Sequence, residues 1–309
     1  MESMWLEDYL ALAETLNFSR AAERRNVTQP AFSRRVRALE QWVGTDLFVR
    51  TTHSVSLTAA GLHFQTQAAM LSRAIQQMRR DTLAVAERQA HTLTIAATHV
   101  LSFTFFPTWI RRNDELFGRG NLNLVSDSME ACEQILSRGD AQFLLCHHHA
   151  AVPSRLDPQQ FKSTIVGSDT LVPVSAPGPE GRVLWSLDQP GGMDYLAYSE
   201  KSGLGRIIAT VQSDTVARSS RTPVFKSHLA ATLLTMARAG TGLAWLPMTL
   251  AEDDLRDGRL MMAGPPEVAI PVEIRLFRPA SRQSGVIESA WAALTSSESK
   301  SLEAAMDHG

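Results

Sequence analysis

Cysteine is scarce in this chain: two among 309 residues, Cys132 and Cys146. Neither their number nor their spacing makes a disulfide framework or a zinc site. They are expected to be small buried residues in a reducing compartment. Long apolar runs are missing too. No stretch is long enough to span a bilayer, and Met1-Glu2 opens no charged-then-apolar leader, so the expected place is the cytoplasm, with no membrane partner. There is no P-loop, nucleophile elbow or paired-carboxylate arrangement, and hence no sequence basis for an enzyme. No HxxxH or CxxC pattern points to a metal or a cofactor. Net charge is small as well: 30 Lys and Arg stand against 32 Asp and Glu, a total of -2 that hides any charged partner. What the chain does have is length and apolar content. Its 309 residues, 44% of them hydrophobic, suit a small domain plus a larger one with a buried core.

The charge balance breaks locally. Residues 20 to 50 hold seven arginines (Arg20, Arg24, Arg25, Arg34, Arg35, Arg37 and Arg50) against Glu23, Glu40 and Asp46, a local net of +4. None of the cations is Lys. Arg makes bidentate contacts to guanine edges and phosphates that Lys cannot copy, so the local partner expected is an anionic polymer.

The pattern inside this stretch says which polymer. Ser19 is a candidate N-cap, followed by the helix formers Ala21 and Ala22. Asn26-Val27 breaks that helix. Thr28 then caps a second one, with Pro30 in its first turn, where a backbone N–H has no helical partner anyway. Phe32, Val36, Leu39 and Val43 recur at i, i+4, i+7 and i+11 as one apolar stripe. Gln29, Ser33 and Arg37 share the opposite face, with Arg34 beside them. Two short helices, a tight turn, and amide, hydroxyl and guanidinium groups on the free face form the layout of a helix-turn-helix that reads double-stranded DNA. Gln29, Ser33 and Arg34 are expected at base edges. Thr28, Arg37 and Arg50 are expected at phosphates, with Ser19, Arg20, Pro30 and Arg35 alongside.

QPAFSRRVRALE, GTDLFVR and LTAAG resemble the N-terminal domain of LysR-type transcriptional regulators, and GTGLAWLP near the C-terminal third extends the resemblance over the chain. The family usually carries a second basic residue in the wing that Arg50 to Leu57 should form; this chain has His53 there.

Thr58 caps a helix expected to run to about Arg88. Phe64, Ala68, Leu71, Ile75, Met78, Thr82 and Val85 alternate in steps of four and three, a heptad seam that favours pairing two chains. The resemblance implies dimerisation through this linker helix, and a homodimer or homotetramer overall. Two-fold pairing suits DNA reading, because two recognition helices then address two related half-sites.

After His91 the pattern changes. Short β runs at Leu93–Ala97, Leu122–Ser126, Phe143–Cys146, Leu171–Val174, Tyr195–Tyr198 and Gly242–Leu246 alternate with helical stretches, which predicts a parallel α/β sheet. The chain returns through Val268–Phe277 to a helix from Ser284 to Leu294. The fold expected is α/β: a winged helix-turn-helix over 1–58, a linker helix over 59–90 and an effector domain over 91–309. Its lobes are 92–163 with 268–297, and 164–267. LysR-type effector domains have this two-lobed plan and are similar to periplasmic solute-binding proteins.

Open α/β sheets bind ligands where strands end and helices begin. Those junctions hold Thr98, His99 and Ser102; Ser128 and Met129; Ser199, Ser202 and Arg206; Ser227 and His228. Hydroxyls at helix starts suit a small anion, and Arg206 one turn beyond Ser202 would add charge. The same hydroxyls also serve as plain N-caps. In the tract Cys146-His147-His148-His149 successive side chains on a strand point to opposite faces, so only His147 and His149 could share a ligand, too few for zinc.

Within the family, NVTQPAFSRRVRALEQ, IAATHVLSF, YSEKSGLGR and GLAWLP resemble the hypochlorite-responsive branch of enteric bacteria. That branch implies an oxidant signal through methionine, and Met129 at a cleft junction is the candidate. Ile135 and Leu204 stand where the resemblance leads one to expect sensing methionines. A metabolic regulator answering to a small anionic ligand is the second expectation. A solute-binding or enzymatic α/β protein is the third.

Overall fold

The computed structural model describes residues 2–51, 54–85, 93–113, 116, 121–189, 192–212, 223–283, 285 and 287–295. His53, the end of the linker helix beyond Val85 and the tail after 295 lie outside them. The chain divides into two units, 1–88 with 137–139 and 89–136 with 140–309.

The first unit opens with α1 (Ser3–Thr15), α2 (Phe18–Arg24) and α3 (Gln29–Val43). Asn17, not Ser19, caps α2: its side-chain oxygen accepts from Ser19 N and Arg20 N, satisfying two donors that a helix start leaves open. The turn between α2 and α3 uses Asn26 at φ 53°, a left-handed conformation that asparagine tolerates. Thr28 and Pro30 open α3, though Thr28 makes no side-chain capping bond. The stripe closes inward as its period requires: Phe32, Val36 and Leu39 are fully buried against Tyr9, Leu12 and Leu47.

Two carboxylates inside this unit hold the motif together. Asp8 on α1 is fully buried, and its Oδ1 accepts from Arg25 Nε at 2.8 Å while Arg35 approaches Oδ2 at 3.5 Å. Glu40 on α3 accepts from the backbone N–H groups of Leu47 and Phe48 through Oε1 and pairs Arg50 through Oε2. Those bonds anchor the wing, in which β1 (Phe48–Arg50) and β2 (Val55–Leu57) pair antiparallel.

Thr58 Oγ1 accepts from Gly61 N at the start of α4 (Ala59–Val85). Gly61 is required: a Cβ there would lie 2.1 Å from the Leu47 carbonyl oxygen. The heptad seam divides. Phe64, Ala68 and Ile75 pack into this unit's own core, where Tyr9 meets Phe64 edge-on at 4.9 Å. Leu71 and Met78 stay exposed. A helix resting on α1 turns one side of its apolar set inward and leaves the remainder outside.

The second unit is built on a nine-stranded sheet. Its strands are β3 (Leu93–Thr98), β4 (Leu122–Asp127), β5 (Phe143–His148), β6 (Phe161–Ser175), β7 (Tyr195–Tyr198), β8 (Phe225–Ser227), β9 (Leu243–Pro247), β10 (Met261–Met262) and β11 (Ile270–Pro279). The order is β4-β3-β5-β11-β6-β9-β7-β8, with β10 beside β6. The wholly parallel sheet expected from the alternation is corrected to a mixed one. β4-β3-β5 and β9-β7-β8 are parallel, but long β6 and β11 run antiparallel to each other and to β9 and β5. The chain crosses from one lobe to the other in β6 and returns in β11. Two strands that cross the same boundary in opposite senses must pair antiparallel. Alternation places Ile95 and Ala97 in one core cluster and Ala96 in another, so both sheet faces are covered.

Helices α5 (His99–Thr104), α6 (Phe106–Arg112) and α7 (Met129–Arg138) belong to the first lobe. Helices α8 (Gly203–Val211), α9 (Ala230–Arg238) and α10 (Met248–Arg256) belong to the second. A last helix covers 287–295, where Trp291 stacks on Phe143. α8 closes with Gln212 as its C-cap; 213–222 lie outside the described residues. No helix among them is long and apolar enough to cross a membrane.

Candidate functional site

Two separate places in the fold carry exposed chemistry. The first is the free face of α3. Gln29, Pro30, Arg34 and Arg37 are exposed there, with Ser33 half-buried and Thr28 exposed at its start; Ser19 and Arg20 are exposed on α2. The seven arginines of this region are not equivalent. Arg24 pairs with Glu14, Arg25 with Glu7 and Asp8, Arg35 with Asp8, and Arg50 with Glu40. Arg20, Arg34 and Arg37 form no ion pair among the described residues and keep their guanidinium groups for an outside anion. Arg35 and Arg50, both expected at DNA, each also approach a buried carboxylate while their side chains stay partly exposed. A buried carboxylate must be matched by a cation, and each of these arginines supplies one. Arg50 also lies over the Phe18 ring, 5.1 Å from its centroid.

The second place is a solvent-open cleft of about 390 Å³ in the α/β unit. Six expected residues line it: Thr98 and His99 at the start of α5, Ser128 and Met129 at α7, Ser202 before α8, and His228 before α9. Asp127, His147, Gly203 and Leu204 complete the wall together with Val100 and Ala230. Asp127 was legible in principle, since an Asp directly ahead of a helix start is a common cap.

The serine oxygens at these junctions are largely engaged. Ser128 Oγ accepts from Ala131 N, Ser202 Oγ from Gly205 N and Ser227 Oγ from Leu229 N. Ser102 Oγ donates to the His99 carbonyl at 2.6 Å and accepts from Ser126 Oγ–H. Ser199 and Ser227 are not in the cleft wall: Ser199 N bonds the Ser227 carbonyl and ties the loop after β7 to the end of β8. Thr98 Oγ1 and Ser199 Oγ are buried with no hydrogen-bond partner among the described residues.

Arg206 does not reach this cleft. It forms a bidentate pair with Glu133 at 3.0 and 2.9 Å, both side chains largely buried, and lines a neighbouring cavity with His148 and His149. The expectation that it supplies positive charge at Ser202 is corrected. Position 206 lies one turn into α8 on the side turned toward α7, where Glu133 already waits. Met129 stands between the two cavities. A Cβ at Gly203 would lie 3.1 Å from Met129 Cγ, a tight contact that would push the Met129 side chain by a few tenths of an ångström.

His99 and His228 face each other with ring centroids 5.6 Å apart. Burial lowers the proton affinity of His99 below the ordinary histidine value; Asp127 opposes this and His228 adds to it. His147 is buried, with Nε2 at 3.4 Å from Asp169 Oδ2. Burial alone would raise the Asp169 carboxyl, yet hydrogen bonds from His147, Thr249 and the Thr170 N–H hold it below its usual range. The histidine tract does not converge. His147 turns to Asp169, His148 to Glu273, and His149 accepts from Ala151 N. Among the described residues no group of three or more His, Cys, Asp or Glu side chains could hold a metal ion. Cys132 and Cys146 are free and buried, and burial pushes the Cys132 thiol up to about 12, away from thiolate chemistry at neutral pH.

Comparisons with known proteins bear on both places. Residues 4–62 match the model of bacterial regulatory helix-turn-helix proteins of the lysR family, and residues 86–298 match the LysR substrate binding domain. The chain is 31% identical to the HTH-type transcriptional regulator YjiE of Escherichia coli K12, over 94% of this chain and 93% of that protein. It is 31% identical to the full-length structure of HypT from Salmonella typhimurium, described as a hypochlorite-specific LysR-type transcriptional regulator; 97% of this chain and 99% of that one are covered, with a TM-score of 0.58. It is 30% identical to Vibrio fischeri DarR in a crystal structure with DNA, covering 96% and 98%, with a TM-score of 0.54.

Proposed function

Because the chain belongs to the LysR family of bacterial helix-turn-helix regulators, we propose that it reads an operator through α3 and changes its hold on that operator when a signal reaches the interlobe cleft. It is a DNA-binding transcriptional regulator with an effector-binding domain, as its relatives are regulators and not enzymes or solute carriers. Its work on DNA places it in the cytoplasm.

The observation that carries the DNA reading is the division of arginines. Arg34 and Arg37 stand exposed and unpaired among the described residues, on the helix whose other face is buried. Gln29, Ser33 and Arg34 then approach base edges, while Thr28, Arg20 and Arg37 hold phosphates. Arg34→Ala should lose roughly 1–3 kcal/mol of operator affinity and relax preference at one base pair. Arg37→Ala should weaken all sequences alike and flatten the salt dependence. Fluorescence anisotropy with operator and scrambled duplexes separates the two. Operator affinity unchanged in Arg34→Ala would remove that residue from the reading face.

The cleft reading rests on its place between the two lobes, where β3, β4 and β7 end and α5, α7 and α8 begin. A bound molecule shifts such an equilibrium only through unequal affinity for the two states. His228→Trp, at an exposed position of the wall, should alter operator affinity several-fold with no ligand added. A wild-type response would argue against the cleft as the signal site.

A second reading is favoured by Met129, whose thioether lies between α7 and α8 against Gly203. Oxidation to the sulfoxide turns that contact polar. HypT, at 31% identity, carries the hypochlorite description. Under this reading hypochlorite should change operator binding by the wild type and leave Met129→Leu unaffected. If both respond alike, Met129 is not the sensor.

A further inference from the structure

We propose that the interlobe cleft takes a small molecule bearing a protonated amine, held by the Asp127 carboxylate and the Nε2 lone pair of His99. This rests on the reading of the cleft as the effector site and names the chemistry of what enters it.

The charge inventory comes first. Among the described residues no arginine or lysine lines the cleft. Arg206, the cation that the sequence offered, faces another cavity and is matched by Glu133. The one full charge in the wall that does not depend on a histidine is Asp127. Its Oδ1 accepts from Ser128 N at 2.6 Å. Its Oδ2 has no partner among the described residues. Behind the wall stands a second carboxylate, Asp169, against His147. A carboxylate ligand would therefore meet like charge, and an ammonium group would meet opposite charge.

Proton directions give the second observation. The Ser102 hydroxyl donates to the His99 carbonyl, so its oxygen is left to accept from Ser126 Oγ–H at 3.0 Å. With that proton committed, Ser126 Oγ can only accept from His99 Nδ1, 3.0 Å away. An Nδ1–H that donates to Ser126 Oγ completes this run of bonds, and in that tautomer of His99 Nε2 carries the lone pair. The lowered proton affinity of His99 keeps it in that form at neutral pH. The ring offers an acceptor, which suits an N–H donor and not an anion.

The helix starts pull the other way, because their N–H groups favour negative charge. Several of those groups are already taken. Ser128 N is held by Asp127, Glu130 N by the Lys201 carbonyl, Ala131 N by Ser128, and Gly205 N by Ser202. What remains is partial charge against a full one. Apolar Met129, Leu204 and Val100 complete the wall, so the aliphatic part of a short amine would meet apolar side chains there.

The test uses full-length protein labelled at the methionine methyls, titrated by NMR with isobutylamine and with isovalerate, branched probes of opposite charge. The Met129 resonance, assigned by its loss in Met129→Leu, reports binding in the cleft. Isobutylamine should shift it saturably and bind at least tenfold more tightly than isovalerate. Asp127→Asn keeps the acceptor for Ser128 N and so preserves the turn; it should cost the amine at least tenfold and close the gap to isovalerate. His99→Phe, which keeps a ring without the lone pair, should weaken the amine several-fold. The proposal is overturned if isovalerate binds as tightly as the amine, if Asp127→Asn leaves the amine unaffected, or if neither probe moves the signal. Should His228→Trp still alter operator binding in those cases, the cleft remains the signal site and only the ligand class falls.

Discussion

Arg25→Met should destabilise the helix-turn-helix unit by about 3–5 kcal/mol, the usual cost of leaving a buried charge without its partner. Asp8 is fully buried beneath α2 and α3, and Arg25 Nε is its near partner at 2.8 Å. Arg35 lies at 3.5 Å and cannot replace the lost bond without moving. Methionine keeps most of the stem volume, so the loss reads the charge and not a cavity. Hydrogen exchange on the α1 amides follows this unit separately from the α/β unit. Arg24→Met provides the contrast, since Arg24 and Glu14 are about a third exposed and such pairs contribute about 0–1 kcal/mol. Equal losses in the two variants would show that Asp8 is not a buried charge dependent on Arg25. The consequence for function is direct. A recognition helix that tilts with α2 loses its alignment with DNA even though no reading residue has changed.

Leu71→Asp should break the assembly. Leu71 and Met78 are exposed on α4 at 41% and 62%, and Met70 adjoins them at 49%. Large apolar groups exposed together along one helix fit a partner helix, while Phe64, Ala68 and Ile75 already serve the chain's own core. If Leu71 packs against a second chain, a carboxylate there loses its water and gains no cation. The association should weaken by about 3–5 kcal/mol, a hundred- to several-thousand-fold. Sedimentation velocity should show a smaller species, and operator binding should fall with it, because one recognition helix reaches only one half-site. Thr66→Asp, exposed and off the seam, should sediment as wild type. A Leu71→Asp protein that keeps its wild-type mass would mean that this face of α4 looks onto solvent.

Local chemistry was what the sequence by itself determined. The turn at Asn26, the start of α3 at Thr28 and Pro30, and the buried stripe Phe32–Val36–Leu39 depend on neighbours a few residues away, so spacing is enough to reveal them. The strand-helix junctions that bear Thr98, Ser128 and Ser202 were legible for the same reason. Even there the cap of α2 is Asn17 and not Ser19: both residues are good caps, and only the backbone geometry chooses between them.

Tertiary structure decided the partners of the charges. Periodicity puts Arg34, Arg35 and Arg37 in one basic run, but only the fold brings Asp8, 27 residues before Arg35, within 3.5 Å of that arginine. Arg206 is turned from the ligand by Glu133, which lies 73 positions earlier in the chain. The sheet depends on the same kind of distant pairing. Alternating strands and helices announce parallel pairing, whereas the antiparallel β6–β11 pair joins segments about a hundred residues apart. A side chain's charge is written in the sequence. Which opposite charge neutralises it depends on distances that only folding sets, and a buried carboxylate takes the nearest cation whatever else that cation could have bound.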